Sequence, residues 1–340
     1  MAVTLKDVAQ LVGVSTSTVS RAINDHPSIS DKTKSKVRCA MKELGYEFEF
    51  MSPPIVPQTP KTIGIVLPPS RKEAYENTFY LEVTRGISAF CNQKQYITTL
   101  ITGYDEDEII STIKNMVNKN NIDSFIVLYS KLNDSIINYL YNEGLLYVLV
   151  GKANLFTNQT ICVDNDNLLA GQDATEYLIH KGHRKIGFIG KDPDLTFSID
   201  RKAGYRLALM QHEIPINPSY CIDLSIKSRN YFNAILSYMQ QADRPTAVVV
   251  CDDIIAFILK QVCYELGLCV PDDLSIIGFN NSIIARLSAP PITSIEIYSF
   301  QLGIEAASQI INHIESPSLL ATKIIVPHQL VERNSCKNLN

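Results

Sequence analysis

The residues best suited to chemistry stand close to the start of the chain, and that chemistry is hydrogen bonding to nucleic acid. Thr16, Ser17, Ser20 and Arg21 fall within one short stretch. Small hydroxyl side chains let a backbone approach phosphates closely, and an arginine can bridge O6 and N7 of guanine in the major groove. This stretch therefore carries the side chains that a DNA-contacting helix needs.

Two short helices joined by a turn at Gly13 are predicted to position these side chains, because glycine permits the positive φ of such a turn. The first helix has apolar residues at helical spacing, namely Leu5, Val8, Ala9 and Val12. A third helix is expected over residues 31–44. Three residues are expected to cap these helices: Thr4, Ser15 and Ser30. The pattern favours a helix-turn-helix over a three-helix module for protein contact, because no core requires the exposed hydroxyl and arginine side chains.

Charge is divided unevenly along the 340 residues. The stretch 1–46 has seven basic and four acidic residues, so with a net charge of −4 the remaining chain carries −7. A basic head on an acidic body fits nucleic-acid binding by the head alone. The eight cysteines form no C-x-x-C pair and no Cys/His metal spacing, and no apolar run is long enough to span a bilayer. We therefore expect a reduced, cytoplasmic protein with no metal and no cofactor.

The first 46 residues resemble the DNA-binding headpiece of the LacI/GalR family of transcriptional regulators. The family pattern T-[LI]-x-D-V-A-x-x-A-G-V-S-x-x-T-V-S-R-x-[IL]-N matches from Thr4 to Asn24 at nearly every position, with Val12 where alanine is usual. The resemblance implies base contacts by Thr16, Ser17 and Arg21. It implies phosphate contacts by Thr4, Ser15, Thr18, Ser20, Asn24 and Ser30.

The linker over residues 47–61 departs from the family pattern. Family members usually have a short helix there that wedges a leucine into the minor groove of operator DNA. This chain has four prolines within eight residues (53, 54, 57 and 60), which forbid an ordinary helix from Pro53 onward. Met51 or Ile55 is an alternative apolar wedge from an irregular segment. We favour a stiff extended spacer.

From Thr62 onward, strands and helices alternate, which predicts an α/β fold with parallel sheets covered on both faces. Two successive units of this kind predict two lobes with a ligand cleft between them. The body resembles the periplasmic sugar-binding-protein fold of the same family. The matching segments are Val163-Asp164-x-x-Asn167-x-x-x-Gly171, residues 182–190 (GHRKIGFIG), Arg201-x-x-Gly204-Tyr205, residues 274–279 and residues 331–335.

The expected domains follow from this resemblance. Residues 1–46 form the headpiece, 47–61 the linker and 62–340 the effector-binding and dimerisation domain. The family chain crosses between lobes three times, and we expect crossings near 159–162, 290–294 and 322–326. The N-lobe then comprises about 62–160 and 292–323, and the C-lobe about 161–291 and 324–340. No leucine heptad follows residue 335, so a dimer is expected.

Candidate effector contacts lie where the resemblance places the cleft. Arg201 is either a solvated or ion-paired arginine or, by the family motif, a partner of adjacent sugar hydroxyls. Asp252 and Asp253 follow a buried strand, and one aspartate caps the next helix while Asp252, by alignment, binds the ligand. Phe79 or Tyr80 either stacks on a sugar ring or packs in the lobe core.

Asn280 and Tyr298 complete the expected pocket. The family usually has aspartate at position 280, and asparagine there resembles the maltose-operon repressors of low-GC Gram-positive bacteria, as does the segment 77–80 (NTFY). Tyr298 and Leu302 stand where the family lines the back wall. The resemblance thus implies a saccharide effector, with maltose or a maltodextrin as the first choice.

The sequence gives no support for an enzyme, since it lacks a G-x-G-x-x-G after the first strand, a P-loop and a G-x-S-x-G. We expect a dimeric repressor that binds a palindromic operator and is released by a sugar. The alternatives are a repressor for another sugar and a global catabolite regulator with a phosphoprotein coregulator. A sugar-binding protein without DNA function is disfavoured by residues 4–46.

Overall fold

The computed structural model describes residues 3–23, 29–45, 61–119, 122, 124–225 and 230–340. The chain divides into two units, Met1–Thr59 and Pro60–Asn340, which are taken in turn. The linker residues 47–60 and Asn24 lie outside the described residues, so the predictions for them stay predictions. None of the helices in the described ranges is both long and apolar enough to cross a membrane.

Three helices pack around a small apolar core in the first unit. They are α1 (Leu5–Val12), α2 (Thr16–Ile23) and α3 (Asp31–Glu43). The turn residue Gly13 has φ 75°, as the helix-turn-helix prediction requires. The fully or largely buried residues are Val8, Ala9, Val19, Ala22, Val37 and Ala40. The predicted helix-turn-helix is therefore present, with its apolar faces inward.

Two six-stranded sheets form the body. The first contains β1 (Thr62–Val66), β2 (Ile97–Ile101), β3 (Ser124–Val127), β4 (Leu146–Val150), β5 (Ile161–Asn165) and β11 (Lys323–Val326), in the order β11-β5-β4-β3-β1-β2. The second contains β6 (Ile186–Lys191), β7 (Cys221–Leu224), β8 (Ala247–Val250), β9 (Ser275–Phe279), β10 (Thr293–Glu296) and β12 (Gln329–Val331), in the order β12-β10-β9-β8-β6-β7. All pairings are parallel except β10 with β12.

Helices cover both sheets, as the β-α alternation predicts. The N-lobe has α4 (Arg71–Glu76), α5 (Thr78–Gln93), α6 (Glu106–Asn118), α7 (Ser135–Asn142) and α13 (Ser299–Glu315). The C-lobe has α8 (Asn167–His180), α9 (Thr196–Gln211), α10 (Tyr231–Met239), α11 (Asp253–Glu265) and α12 (Ile283–Leu287). Each lobe has its own apolar clusters, with fully buried aromatic residues such as Phe125 in the N-lobe and Phe188 in the C-lobe. This is the two-lobed α/β body that the sequence predicted.

The crossings between lobes lie later in the chain than the sequence suggested. β5 pairs with β4 and stays in the first sheet to Asn165, and β11 pairs with β5 to Val326. β10 pairs with β9 in the second sheet to Glu296. The chain therefore crosses near residues 166, 297–298 and 327–328, and the lobe boundaries move with these crossings. An apolar strand is compatible with either sheet, and only its long-range pairing decides which sheet it joins.

One side chain joins all three crossings. Asn165 Nδ2 donates hydrogen bonds to the carbonyl oxygens of Ile297 (3.0 Å) and Val326 (2.9 Å). Asn165 ends β5, Ile297 directly follows β10, and Val326 ends β11. The amide is buried, so both hydrogen bonds are formed away from bulk water. The three crossings are thus held together by a single residue, which we call the Asn165 clamp.

Each lobe contains a pair of helices in close backbone contact through two glycines. In the N-lobe, a Cβ on Gly86 of α5 would overlap the carbonyl oxygen of Phe300, and one on Gly303 of α13 would overlap that of Val83. In the C-lobe, Gly171 of α8 and Gly204 of α9 are related in the same way to Arg201 and Leu168. Backbones this close leave no space for a side chain, so these four positions require glycine for steric reasons.

We expect Gly204→Ala to destabilise the body by about 2 kcal/mol, because the added methyl forces α8 and α9 apart in a well-packed core. Urea unfolding followed by circular dichroism measures this change. Met210→Ala, at an exposed position of the same helix, is the matched control and should change the free energy of unfolding by less than about 0.5 kcal/mol. Equal stability of Gly204→Ala and wild type would contradict the close helix contact.

Candidate functional site

The outer face of α2 presents the side chains proposed to contact DNA. Thr16, Ser20 and Arg21 are exposed on this helix, while Val19 and Ala22 face the core. Ser17 also belongs to α2, although its side chain lies outside what the structure describes. The residues predicted to contact bases therefore share one helix, and Thr16 and Arg21 lie on its solvent side.

The hydroxyls proposed to hold phosphates are also helix caps. Ser15 Oγ accepts a hydrogen bond from the backbone N–H of Thr18 at 3.1 Å, and the two hydroxyls are 2.8 Å apart. Ser30 Oγ accepts from Thr33 N at 3.3 Å. At α1, both the N–H and the hydroxyl of Thr4 donate to Asp7 Oδ2 at 2.7 Å. The hydroxyls of Ser15 and Ser30 thus cap α2 and α3 as predicted, whereas Thr4 holds the N-cap position of α1 with its hydroxyl donating to Asp7.

A cleft lies between the two lobes of the body. The N-lobe supplies Asn77, Phe79, Tyr80, Leu128, Tyr129, Ser130, Val150, Gly151 and Leu302, together with Asp164 and Asn165 from the end of β5. The C-lobe supplies Asn167, Thr196, Phe197, Arg201, Asp252 and Asn280, and the second crossing supplies Ile297. The lining is thus divided about equally between apolar or aromatic residues and polar ones, and several of the polar side chains lie at the carboxyl ends of strands, as in ligand sites of parallel sheets.

Arg201 is the best-fixed polar group in the cleft. It is 4% exposed, and its guanidinium lies over the ring of Phe279, 4.2 Å from the ring centre. Its Nε donates to Asn167 Oδ1 at 2.9 Å, and its NH1 donates to the carbonyl oxygen of Cys251 at 2.6 Å. Burial lowers the pKa of Arg201 to about 10, which leaves the guanidinium charged at neutral pH. The ion-paired surface arginine allowed by the sequence is therefore not what the structure contains.

The sequence predicted that one aspartate caps the helix and that Asp252 binds the ligand, but in the structure Asp252 holds both positions. Asp252 both lines the cleft and caps α11, because its Oδ1 accepts from the N–H of Ile255 at 2.8 Å. Asp253 is buried away from the cleft, where its carboxylate accepts from Ser282 N at 2.7 Å and from the hydroxyl of Ser294 at 2.8 Å. Burial raises the pKa of Asp253 to about 7. One aspartate thus serves as both cap and cleft residue.

We expect the stability of the body to fall as pH rises from about 4 to about 7, and Asp253→Asn to make that fall shallower. An unfolded aspartate loses its proton near pH 4. Because the pKa of Asp253 is about 7 in the folded protein, the folded state keeps a proton in this range that the unfolded state has lost. Urea unfolding at several pH values measures the slope. An unchanged slope in Asp253→Asn would contradict the buried protonated carboxyl.

Asp164 and Asn167 are cleft residues that the sequence analysis quoted only as part of a motif. Asn167 Nδ2 donates to Asp164 Oδ1 at 3.0 Å, and Asn167 Oδ1 accepts from Arg201. Burial raises the pKa of Asp164 to about 7, an effect that Asn165 N–H and Arg201 partly oppose. The motif spacing now has a reason, since Asn167 orients Arg201 and Gly171, one turn later, makes room for the backbone of Arg201. Their position at the end of β5 and directly after it was the signal that could have identified them.

Of the remaining predicted effector contacts, two line the cleft and one does not. Phe79, at the start of α5, and Asn280, after β9, line the cleft, and Asn280 adopts a positive φ of 97°. Tyr298 does not line it; the residue is 39% exposed, and its hydroxyl donates to Gln329 Oε1 at 2.8 Å. Tyr298 is the N-cap of α13 at the second crossing, with φ 53°, and it lines the depression beside the cleft. Tyr298 is therefore corrected from the back wall to the neighbouring surface, whereas Leu302 lines the cleft.

The two lobes also touch across one mouth of the cleft. Thr196 N–H and Leu132 N–H donate to the carbonyl oxygens of Ser130 (3.2 Å) and Asp194 (3.0 Å), each bond joining one lobe to the other. Lys152 of the N-lobe forms an ion pair with Asp200 of α9 at 2.8 Å. The cleft is therefore closed on this side by backbone pairing and one ion pair.

A helix-turn-helix unit and a two-lobed body with a cleft of polar and aromatic side chains together define a DNA-binding regulator as the class of protein. Residues 4–47 match the model of the bacterial regulatory proteins of the lacI family, and residues 175–336 match a periplasmic binding protein-like domain. The chain belongs to the LacI family and is a DNA-binding transcriptional repressor of that family, not an enzyme.

Several relatives align over almost the whole chain. The HTH-type transcriptional regulator MalR of Staphylococcus xylosus is 35% identical over 98% of both chains. Among solved structures, a putative LacI transcriptional regulator of Bacillus cereus subsp. cytotoxis is 35% identical, with a TM-score of 0.79 over 83% of this chain and 100% of the other. The transcriptional regulator CelR in complex with cellobiose is 25% identical, with a TM-score of 0.76 over 98% and 99% of the two chains.

Proposed function

We propose that this chain represses a saccharide-utilisation operon as a homodimer and is released from a near-palindromic operator by a sugar bound between its lobes. The observation that carries the proposal is the cleft itself, in which the fixed guanidinium of Arg201 and the carboxylate of Asp252 meet aromatic walls. Sugar hydroxyls need paired hydrogen-bonding groups, and sugar rings pack well on aromatic faces. The cleft offers both.

Maltose or a maltodextrin is our first choice of effector. The relative from Staphylococcus xylosus is named MalR, and CelR was solved in complex with cellobiose, so at least one relative of this fold binds a disaccharide. Phe79, Arg201, Asp252 and Asn280 are the proposed contacts, to which the structure adds Asp164 and Asn167 as candidates. We place the headpiece at residues 1–46, the linker at 47–61 and the effector-binding body at 62–340.

A thermal-shift screen of glucose, maltose, maltotriose and cellobiose against the full-length protein tests the effector. A ligand that binds only the native state raises the melting temperature in proportion to the logarithm of its concentration above the dissociation constant. We expect maltose or maltotriose to raise it and the same sugar to release operator DNA without any added phosphoprotein. A shift with cellobiose alone would replace maltose as the effector, and no shift with any saccharide would contradict the proposed function.

The proposed DNA contacts follow the outer face of α2. We assign base contacts to Thr16, Ser17 and Arg21 and phosphate contacts to Thr4, Ser15, Thr18, Ser20, Asn24 and Ser30. In support, the hydroxyls of Ser15 and Ser30 cap exposed helix starts, where free N–H groups favour phosphate oxygens. Two such headpieces related by a twofold axis require a near-palindromic operator.

Exposed apolar side chains on the C-lobe support the homodimer. α11 and α12 pack together and expose Phe257, Tyr264, Ile283 and Leu287, of which Tyr264 and Leu287 are 87% and 78% exposed. The N-lobe exposes Ile97 and Leu100 on β2, an edge strand of the first sheet. Large apolar residues grouped in this way mark protein interfaces, and a second copy of the chain is the occupant that a palindromic operator demands.

We expect Leu287→Glu to convert the dimer to monomers at micromolar concentration, because a carboxylate cannot be buried without a partner in an apolar contact. Sedimentation velocity measures the mass. Leu320→Glu is the matched control, since Leu320 is 85% exposed and belongs to neither helix. A dimer that persists in Leu287→Glu would exclude this face, and a monomeric wild type would contradict the homodimer.

A further inference from the structure

A lysine is buried behind the cleft. Lys191 ends β6, and its ammonium nitrogen is 3.3 Å from Asp252 Oδ2. Both side chains are almost fully covered, 4% exposed for Lys191 and 3% for Asp252. Lysine is among the residue types that are rarely buried in full, and it then needs an anionic partner. In this protein Asp252 supplies that anion.

Lys191 does not face the ligand site itself. Among the described residues it is Asp252, not Lys191, that lines the cleft. The backbone of Lys191 is tied to α9, since its N–H donates to Ser198 Oγ at 2.9 Å and the Ser198 hydroxyl donates to its carbonyl oxygen at 3.0 Å. The same helix carries Arg201, one turn further on. Lys191 therefore contacts the cleft residue Asp252 without lining the cleft itself.

The carboxylate of Asp252 is held from two sides. Oδ1 accepts from the N–H of Ile255, and Oδ2 faces the ammonium of Lys191. A carboxylate has about four acceptor positions, so two hydrogen bonds leave capacity for ligand donors. The ammonium of Lys191 and the N–H of Ile255 thus fix the direction of this carboxylate, and a carboxylate only accepts hydrogen bonds.

The neighbouring aspartate, Asp253, differs from Asp252 in the groups that hydrogen-bond to it. Asp253 is buried to a similar extent, but its hydrogen bonds come from the uncharged groups Ser282 N–H and the Ser294 hydroxyl. A buried ion pair such as Lys191–Asp252 is weak support for stability, because two ions lose their hydration when they are buried. A role at the ligand site explains why a charge is kept there.

From this geometry we infer that Lys191 is a positioning residue for effector recognition, which holds the Asp252 carboxylate in the orientation that accepts hydrogen bonds from two hydroxyls of a polyhydroxylated ligand. This inference rests on the proposed function, because it requires a saccharide in the cleft. The inference also predicts the ligand selectivity of the cleft. Asp252 held in this way favours ligands that donate hydroxyl hydrogen bonds and disfavours ligands that present only acceptors.

A double-mutant cycle tests whether Lys191 acts through Asp252. The four full-length proteins are wild type, Lys191→Met, Asp252→Asn and the double variant, and calorimetric titration uses the saccharide of the four-sugar panel that binds wild type best. We expect Lys191→Met to weaken binding about tenfold or more, the size of a lost charged hydrogen bond. In the Asp252→Asn background the same change should alter affinity less than about twofold, because its target is gone.

Two further variants keep the test decisive. Lys202→Met is the matched control, since Lys202 pairs with Asp223 at 2.6 Å in the same lobe but outside the cleft, and its affinity should match wild type. Lys191→Arg keeps the charge and should retain affinity within about threefold. If Lys191→Met does not fold, two comparisons of affinity still test whether Lys191 acts through Asp252. They are Lys191→Arg against wild type and Asp252→Asn against the double variant.

The outcomes separate the inference from the function on which it rests. Equal fold-losses for Lys191→Met with and without Asp252 would overturn the positioning role, because the lysine would then act independently of its partner. An Asp252→Asn protein that loses a further tenfold on Lys191→Met would do the same. Failure of every saccharide to bind wild type would instead contradict the proposed function.

Discussion

Arg201→Met should bind the effector sugar about 100-fold more weakly than wild type and should no longer be released from operator DNA by it. The guanidinium is the only cation among the described residues that line the cleft, and it is held by Asn167 and the Cys251 carbonyl. A methionine fills the volume over Phe279 but offers no donors. The result would be a repressor that stays on its operator in the presence of sugar.

Operator binding with and without sugar, measured by fluorescence anisotropy, follows both parts of this expectation. Arg206→Met, at an exposed position of the same helix, is the matched control and should respond as wild type does. Because Arg201 holds two buried acceptors, melting curves must show that the variant folds. Normal release of folded Arg201→Met by sugar would exclude Arg201 as an effector contact.

Arg21→Ala should reduce affinity for the specific operator about 100-fold while leaving the melting temperature unchanged. A bidentate arginine–guanine pair contributes about 1–3 kcal/mol of discrimination per site, and a dimer uses it twice. Arg21 is exposed, and the headpiece core is built by other residues of α2, so its loss removes no packing. Discrimination between operator and random DNA should fall with it.

Lys42→Ala is the control for charge in this experiment, because Lys42 is an exposed cation in the last turn of α3. Its loss should weaken operator and random DNA by similar factors, as a lost phosphate contact does. An Arg21→Ala protein that keeps its preference for operator over random DNA would contradict the base contact.

Much of the fold was predictable because each element has its own local pattern. The alternation of strands and helices predicted from Thr62 onward is present in both lobes of the body. The chain crossings were placed a few residues too early, because apolarity does not indicate which sheet a strand joins. β10 and β11 illustrate this, since each is assigned only by distant partners.

The candidate site was predictable where a polar residue follows an apolar strand or falls in a family motif, as with Arg201, Asp252 and Asn280. Lys191 escaped notice because a lysine at the end of a strand is normally solvated, and only the structure shows its burial against Asp252. Tyr298 was misplaced because its direction depends on a positive φ that no side-chain pattern reveals.

The Asn165 clamp has a mechanical consequence. Three independent crossings would allow the lobes to twist, slide and bend separately, but an amide that joins all three couples their displacements. With both lobes stiffened by their glycine-paired helices, relative motion is reduced towards a single degree of freedom. Because Asn165 also lines the cleft, we expect any ligand held there to contact the residue that links the three crossings, and so to act on the angle between the lobes.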